Sequence, residues 1–267
     1  MEFSPFAAGL VASFIGGTLA TAAGAVPALF LRSLRPSVSN GLLSFAAGIM
    51  LAAAVFSLLL PALALANERF GGPVPGVLMC MAALLAGGAG IFAIHHFTPH
   101  EHFLKGHDGP RARRLSRVWL LVIAMTIHNF PEGLSIGVGA GSGSLQILLP
   151  VTFGIGLQNV PEGLAVAMAL RGEGYSRALA FWTAALSGLV ETFGGLFGVA
   201  VTTISAMMLP AALAFAAGAM LFVVSNEVIP ETHGTGQGAR ATATLMVGFA
   251  LMMFLDTAVT ALPAAGS

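Results

Sequence analysis

The sequence predicts an all-α integral membrane protein of eight transmembrane helices, and three observations predict it. Of 267 residues, 57% are hydrophobic and only 8% are charged, whereas a soluble domain carries about a quarter charged residues. Apolar stretches of about 20 residues, the length that crosses a bilayer, recur along the chain. The few polar residues inside them are grouped rather than scattered. Two hexapeptides thirty residues apart, His128-Asn129-Phe130-Pro131-Glu132-Gly133 and Gln158-Asn159-Val160-Pro161-Glu162-Gly163, each interrupt an apolar run.

The eight spans are expected at about 6–31, 41–66, 74–97, 117–139, 147–170, 178–204, 208–231 and 241–262. The first lacks a basic n-region and exceeds a signal-peptide core, so it reads as a retained span. The 34 glycines and 14 prolines suit closely packed membrane helices. An even number of crossings puts both termini on one side. Ten of the eleven Lys and Arg residues lie in alternate loops: Arg32 and Arg35, then Lys105 through Arg117, then Arg171 and Arg177, then Arg240. Only Arg69 lies on the other side. Basic loops stay cytoplasmic, so both termini are expected outside, on the periplasmic face of an inner membrane. The lipid bilayer is then the surrounding partner. Zero net charge gives no electrostatic footprint for nucleic acid. The lone Cys80 excludes an intrachain disulfide and a thiolate metal cluster.

An internal repeat is visible as well. Ser44–Leu51 reads SFAAGIML and Ala214–Leu221 reads AFAAGAML. The copies lie in the second and seventh spans, five crossings apart. An odd number of crossings makes them run in opposite directions, the signature of an inverted repeat with a site at the midplane.

The hexapeptides carry the chemistry. At helical pitch His128 and Glu132 share a face, as do Gln158 and Glu162. Pro131 and Pro161 leave the carbonyls of Ile127 and Leu157 without their helical donors. An imidazole, two carboxylates, amide oxygens and freed carbonyls between two kinked helices make a divalent-cation site. Each central charge costs about 3 kcal/mol on insertion scales. Glu132, Glu162 and Glu191 therefore require a proton, water or a bound cation, because no Lys or Arg lies inside spans four to six. His with carboxylates suits Zn²⁺ and other first-row metals. Met50 offers a thioether in the middle of the second span, with core packing as the competing reading.

Two further stretches are polar. From His95 to Arg114 runs HHFTPHEHFLKGHDGPRARR, the loop expected at 98–116 with the end of span three. It includes His95, His96, His100, His102 and His107. A His-rich tract can capture metal; a solvated basic connector is the alternative. Span seven ends Asn226-Glu227-Val228-Ile229-Pro230-Glu231-Thr232-His233. Glu227 and Glu231 share a face there, either lining a metal path with Asn226 and His233 or closing a helix terminus.

These residues resemble the ZIP (Zrt/Irt-like) divalent-metal transporters, in particular their compact bacterial branch. The resemblance rests on the HNFPEG and QNVPEG pair, the span of Glu191 and NEVIPETH. It implies one domain over the whole chain with a 3+2+3 arrangement of helices and inverted repeats. It also implies a two-metal site: Met50, His128, Glu132, Gln158 and Glu162 for one ion, and Asn129, Glu132, Asn159, Glu162 and Glu191 for the other. The implied function is movement of Zn²⁺ into the cytoplasm by alternating access, with Cd²⁺, Fe²⁺ and Mn²⁺ as further candidates. A homodimer is allowed. Asn159 stands where many relatives have an acidic residue, Asn226 where close relatives have His, and Glu191 where many have Lys.

Two other classes compete. An intramembrane metalloenzyme needs a motif such as H-E-x-x-H, but His128 and Glu132 form H-x-x-x-E. A proton-coupled carrier of an organic substrate would use the glutamates as relays, which leaves the imidazole beside them unexplained.

Overall fold

A computed structural model describes residues 4–97, 100–102, 106–108, 117–234 and 236–261. The chain there is helical almost throughout: α1 (Pro5–Leu29), α2 (Pro36–Arg69), α3 (Pro73–Phe97), α4 (Val118–Gly141), α5 (Leu145–Gly172), α6 (Arg177–Ile204), α7 (Leu209–His233) and α8 (Gly238–Val259). Among the described residues seven of these, all except α5, are long and apolar enough to cross a membrane. At 28 residues α5 has the length, but Gln158, Asn159, Glu162 and two internal prolines dilute its apolar character. Between α3 and α4 a short antiparallel pair, His100–His102 with Gly106–Asp108, aligns His100 with Asp108. The metal-capture reading of the His-rich loop falls largely outside the described residues.

Helix ends follow local chemistry. Pro5, Pro36 and Pro73 open their helices, where a missing N–H leaves nothing unsatisfied. The hydroxyls of Ser4 and Ser176 accept from the amides of Ala7 and Leu179, each at 3.2 Å, capping α1 and α6. The α2–α3 turn uses Gly71 and Gly72 at φ 77° and 131°, a region where side chains are strained. Three spans contain wider π-helical turns: Phe14–Leu19 in α1, Ala53–Leu59 in α2 and Val224–Val228 in α7.

Glycine divides the helices into two groups. In the first, α1, α4, α5 and α6 touch backbone to backbone. A methyl group at Gly163 would overlap the Thr21 carbonyl oxygen, at Gly24 that of Val160, and at Gly133 that of Glu191. In the second, α2 meets α8 through Gly48 and Gly248, and α3 meets α7 through Gly87 and Gly218. Only small residues allow this approach in a membrane. Across the two groups the contacts are of another kind. Gly154 of α5 faces the Met252 side chain of α8 and Ile49 of α2, and Ser135 Oγ of α4 lies 3.2 Å from Met220 Sδ of α7. Flexible side chains separate two closely packed units.

The contacts also recur in pairs. A shift of 170 residues takes Phe45, Gly48 and Met50 to Phe215, Gly218 and Met220; a shift of 161 takes Leu84 and Gly87 to Leu245 and Gly248. Gly48 abuts the Leu245 carbonyl as Gly218 abuts that of Leu84, and Gly248 abuts Phe45 as Gly87 abuts Phe215. In the first group Gly133 abuts Glu191 as Gly163 abuts Thr21. The octapeptide resemblance thus extends to the three-dimensional contacts around it.

Candidate metal centre

Pro131 and Pro161 sit inside uninterrupted helices, so the polar hexapeptides remain at the heart of the first group. Backbone approach there leaves little room, and Glu132, Gln158, Asn159 and Glu191 are all fully buried. Asn129 and Glu162 are almost so. Among the described residues no Lys or Arg is buried beside them. Amides and a hydroxyl meet Glu132 and Glu191, and Glu162 lines the same cavity as the His128 imidazole.

The polar side chains form three connected clusters. In the first, Gln158 Nε2 donates to Glu132 Oε1 at 2.9 Å, joining α5 to α4. In the second, Asn159 Nδ2 donates to Glu191 Oε2 at 2.7 Å and to the Gly16 carbonyl at 2.9 Å. Thr21 Oγ1 donates to Glu191 Oε1 at 3.2 Å, so α1, α5 and α6 meet on one carboxylate. In the third, His128 Nε2 lies 2.6 Å from Glu227 Oε2, and His95 Nδ1 lies 2.5 Å from Glu227 Oε1. The two imidazoles stack with ring centroids 5.8 Å apart. One donor atom from each of His95, His128 and Glu227 lies within 4.8 Å of the others. A tetrahedral zinc with ligands at about 2.0–2.2 Å fits among three such donors after a small adjustment.

Several oxygens at the junction of these clusters lack a hydrogen-bond partner among the described residues: Glu132 Oε2, Gln158 Oε1, Asn159 Oδ1 and Glu162 Oε2. Buried polar atoms are rarely left so. An array of oxygens without donors is the chemistry that a cation completes. A cavity of about 540 Å³ reaches this region. Ser33, Pro36, Gly172, Glu173 and Glu231 line it towards the α1–α2 and α5–α6 turns, and His128, Glu162 and Glu227 line it inside. The cavity thus runs from Glu173 and Glu231 to the imidazole of His128 and the carboxylates of Glu162 and Glu227.

The expected residues divide accordingly. Met50 is buried in α2. His128 makes its recorded ion pair with Glu227 of the second group rather than with Glu132 one turn along its own helix. Asn226 is half-buried, next to Glu227 in the π-turn. His233 Nδ1 contacts the Ile229 carbonyl at 3.0 Å and Nε2 contacts Thr242 Oγ1 at 3.1 Å, tying α7 to α8 at a helix end. His96 is exposed and stacks on Phe92. His100 and His102 lie in the short hairpin. Sequence reasoning missed the joining of His95, Glu227 and His128, which come from three helices, and the part of Thr21. The 170-residue shift could have found Thr21, because it takes Thr21 to Glu191.

Comparisons with known proteins identify the family. The family model described as "ZIP Zinc transporter" matches residues 94–256. The zinc transporter ZIPB of Bordetella bronchiseptica is 49% identical, over 91% of this chain and 78% of its own. The zinc transporter GufA of Myxococcus xanthus is 43% identical, over 93% and 98%. A zinc transporter ZupT of Corynebacterium aurimucosum is 33% identical, over 88% and 91%. With the family model covering more than half of its length, and relatives 33–49% identical aligned over most of it, the chain belongs to the ZIP zinc transporter family.

Proposed function

We propose that the protein carries Zn²⁺ across the membrane into the cytoplasm, through a site between α4 and α5. The carrying observation is the buried array of carboxylate, amide and imidazole groups reached by a cavity from the α1–α2 and α5–α6 turns. Two glutamates, Glu132 and Glu162, stand between the amide-rich side, with Asn159 and Glu191, and the imidazole side, with His128. They bridge two metal positions: Met50, His128 and Gln158 complete one, and Asn129, Asn159 and Glu191 the other. His128 then passes an ion towards Glu227 and His95, next to Asn226 and Glu231. Imidazole among the donors favours zinc over magnesium or calcium; Cd²⁺, Fe²⁺ and Mn²⁺ fit the same donor set less selectively.

The packing supports a reading of alternating access. Each group is locked internally by backbone contacts at glycine, while side chains such as Met252 and Met220 separate the groups and permit sliding. In this reading α5 is the eighth span, its polar face covered by α1, α2 and α4. The helices then form a 3+2+3 order, with α1–α3 repeated inverted as α6–α8 and α4 as α5. The basic turns beside the cavity, with Arg32, Arg35, Arg171 and Arg177, support a mouth at the cytoplasm and termini outside, in a bacterial inner membrane.

The test is zinc uptake by reconstituted vesicles together with the metal content of the purified protein. Glu162→Ala should abolish measurable uptake and lower bound zinc, while Glu191→Ala should keep one bound ion. Unchanged uptake and metal content in both Glu162→Ala and His128→Ala would overturn the reading.

A further inference from the structure

The cavity beside the metal centre is larger and more apolar than an ion requires. At about 540 Å³ it falls in the range of small-molecule pockets, about 300–1,000 Å³, whereas a water molecule occupies about 30 Å³ of the liquid. Its walls have a regular build. On α4 they run Val118, Leu121, Met125 and His128, and on α5 Glu162, Val166, Ala169 and Glu173, each a stripe at helical spacing. Ser39 and Leu43 of α2 and Glu227 and Glu231 of α7 complete the lining. The cavity therefore lies between the two glycine-packed groups, touching α4 and α5 of the first and α2 and α7 of the second.

Charge and apolar surface alternate along its length. Glu162 stands at the inner end and Glu173 at the mouth, with Ala165, Val166 and Ala169 of the same helix between them. Leu43, Leu121 and Met125 continue this apolar shaft on the other helices. The two carboxylates are eleven positions apart, about 16 Å along the helix at 1.5 Å per residue. Glu162 is 4% exposed, and its Oε2 has no hydrogen-bond partner among the described residues. The inner end thus presents an acceptor without a donor. Glu173 is exposed at the other end. Among the described residues no Lys or Arg lines the cavity. Arg171, beside Gly172, directs its guanidinium to the carbonyls of Tyr175 and Leu31, at 2.6 and 3.4 Å.

We infer that this cavity binds a linear aliphatic diamine or polyamine, with one terminal ammonium at Glu162 and the other at Glu173. Negative charge at both ends selects a ligand with two cations. The apolar shaft selects methylene groups, whose burial favours binding. Length follows from the span. An extended chain advances about 3.6 Å per three bonds, and each ammonium stands about 2.8 Å from its carboxylate oxygen. Terminal nitrogens about nine bonds apart, roughly 11 Å, therefore match the distance between the carboxylates. Octane-1,8-diamine and the triamine spermidine have this length. The inner ammonium occupies a carboxylate that the transport reading assigns to zinc, so each ligand weakens the other by the same factor. On that reading a diamine seated between the two groups also arrests their movement. This consequence rests on the proposed transport; the binding itself does not.

Calorimetric titration of the purified, metal-free protein tests the site, with empty micelles as the blank. Octane-1,8-diamine should bind at least about tenfold more tightly than butane-1,4-diamine, which is too short to span the shaft and buries fewer methylenes. It should bind about three- to fivefold more tightly than octylamine, which lacks the second cation. That factor is the size of an exposed ion pair and should vanish in about 1 M salt. Glu173→Gln should lower the affinity for octane-1,8-diamine to that for octylamine, and leave octylamine within about twofold. Glu162→Gln and Leu121→Asn should weaken both amines. Equal affinities for octane-1,8-diamine and octylamine in the unaltered protein would overturn the inference. So would a diamine affinity unchanged in Glu173→Gln or in Glu162→Gln. The first comparison needs no variant and stays decisive if one folds poorly. In proteoliposomes, octane-1,8-diamine on the side of the mouth should slow zinc uptake, and Glu173→Gln should need about three- to fivefold more of it for the same loss. Zinc uptake without diamine binding removes only this inference; diamine binding without zinc uptake removes the transport reading and leaves the amine site standing.

Discussion

Glu162 and Glu191 are both buried carboxylates, yet their surroundings assign them different work. Glu191 accepts from Asn159 and Thr21 and so retains two neutral partners without metal. Glu162 lines the cavity and has an oxygen without a hydrogen-bond partner. If Glu162 holds the ion as proposed, its removal costs at least the roughly 10–100-fold that removal of a ligand's supporting contacts costs. Glu162→Ala is therefore expected to reduce uptake more than Glu191→Ala, measured as initial rates of ⁶⁵Zn entry. Asn159→Asp adds a carboxylate beside Glu191 Oε2, where the amide now donates at 2.7 Å. It should tighten zinc binding on that side, slow turnover, and lower the stability of the metal-free protein through like-charge repulsion. Zinc titration, uptake and melting temperature read the three effects. The residues of the two hexapeptides were legible in the sequence because polar groups stand out in apolar helices. The partner of His128 was not: helical spacing places Glu132 on its face, while Glu227, ninety-nine positions away in the chain, is brought near only by packing.

At the scale of helices, glycine sets the geometry. A methyl at Gly163 would overlap the Thr21 carbonyl, a backbone atom that cannot yield. Gly163→Ala should cost about 1–3 kcal/mol or more, the range for overpacking, and lower the melting temperature in detergent. Gly172→Ala, with open space around it, should leave the melting temperature nearly unchanged. Gly154→Ala belongs to another class. Its neighbours are the Sδ and Cε of Met252, within 2.6–2.8 Å of the added carbon, and a flexible thioether can move aside. Its melting temperature should shift less than that of Gly163→Ala, but its uptake rate should fall, because it obstructs the surface along which the two groups are proposed to slide. Helix positions were legible from apolar run length. α5 shows why composition is a weaker guide: its buried polar residues keep it alone among the eight helices from being apolar enough to count as a span, although it packs against α1, α2 and α4. The π-turns had no sequence signal of their own.

For the whole molecule, movement of one group against the other makes a direct test. Ser135 Oγ and Met220 Sδ are 3.2 Å apart across the divide. Ser135→Cys with Met220→Cys, in a Cys80→Ala background, should form a disulfide that stops zinc uptake, with recovery upon reduction. Full uptake by the crosslinked protein would exclude relative motion at that level. Orientation is testable separately. A cysteine replacing Ser4 should react with an impermeant thiol reagent in spheroplasts, and reaction only after lysis would reverse the assigned topology. The inverted relation was legible in one octapeptide, but its extent was not. It rests on contacts that Gly48, Gly87, Gly218 and Gly248 make with neighbouring backbones, which packing alone brings together.

The π-turns impose a constraint on reading frame within the helix itself. Each wide turn accommodates a residue that a regular helix would not, so everything beyond it is rotated by about 100° relative to an uninterrupted α-helix of 3.6 residues per turn. Glu227 lies inside such a turn. Deleting one residue from Val224–Val228 would relax the turn to ordinary pitch and swing Glu227 and Glu231 away from the imidazoles. The helix would stay as apolar and nearly as long. Length variation in this family should thus be tolerated in the turns between spans and not here, where a single missing residue changes which way the helix looks.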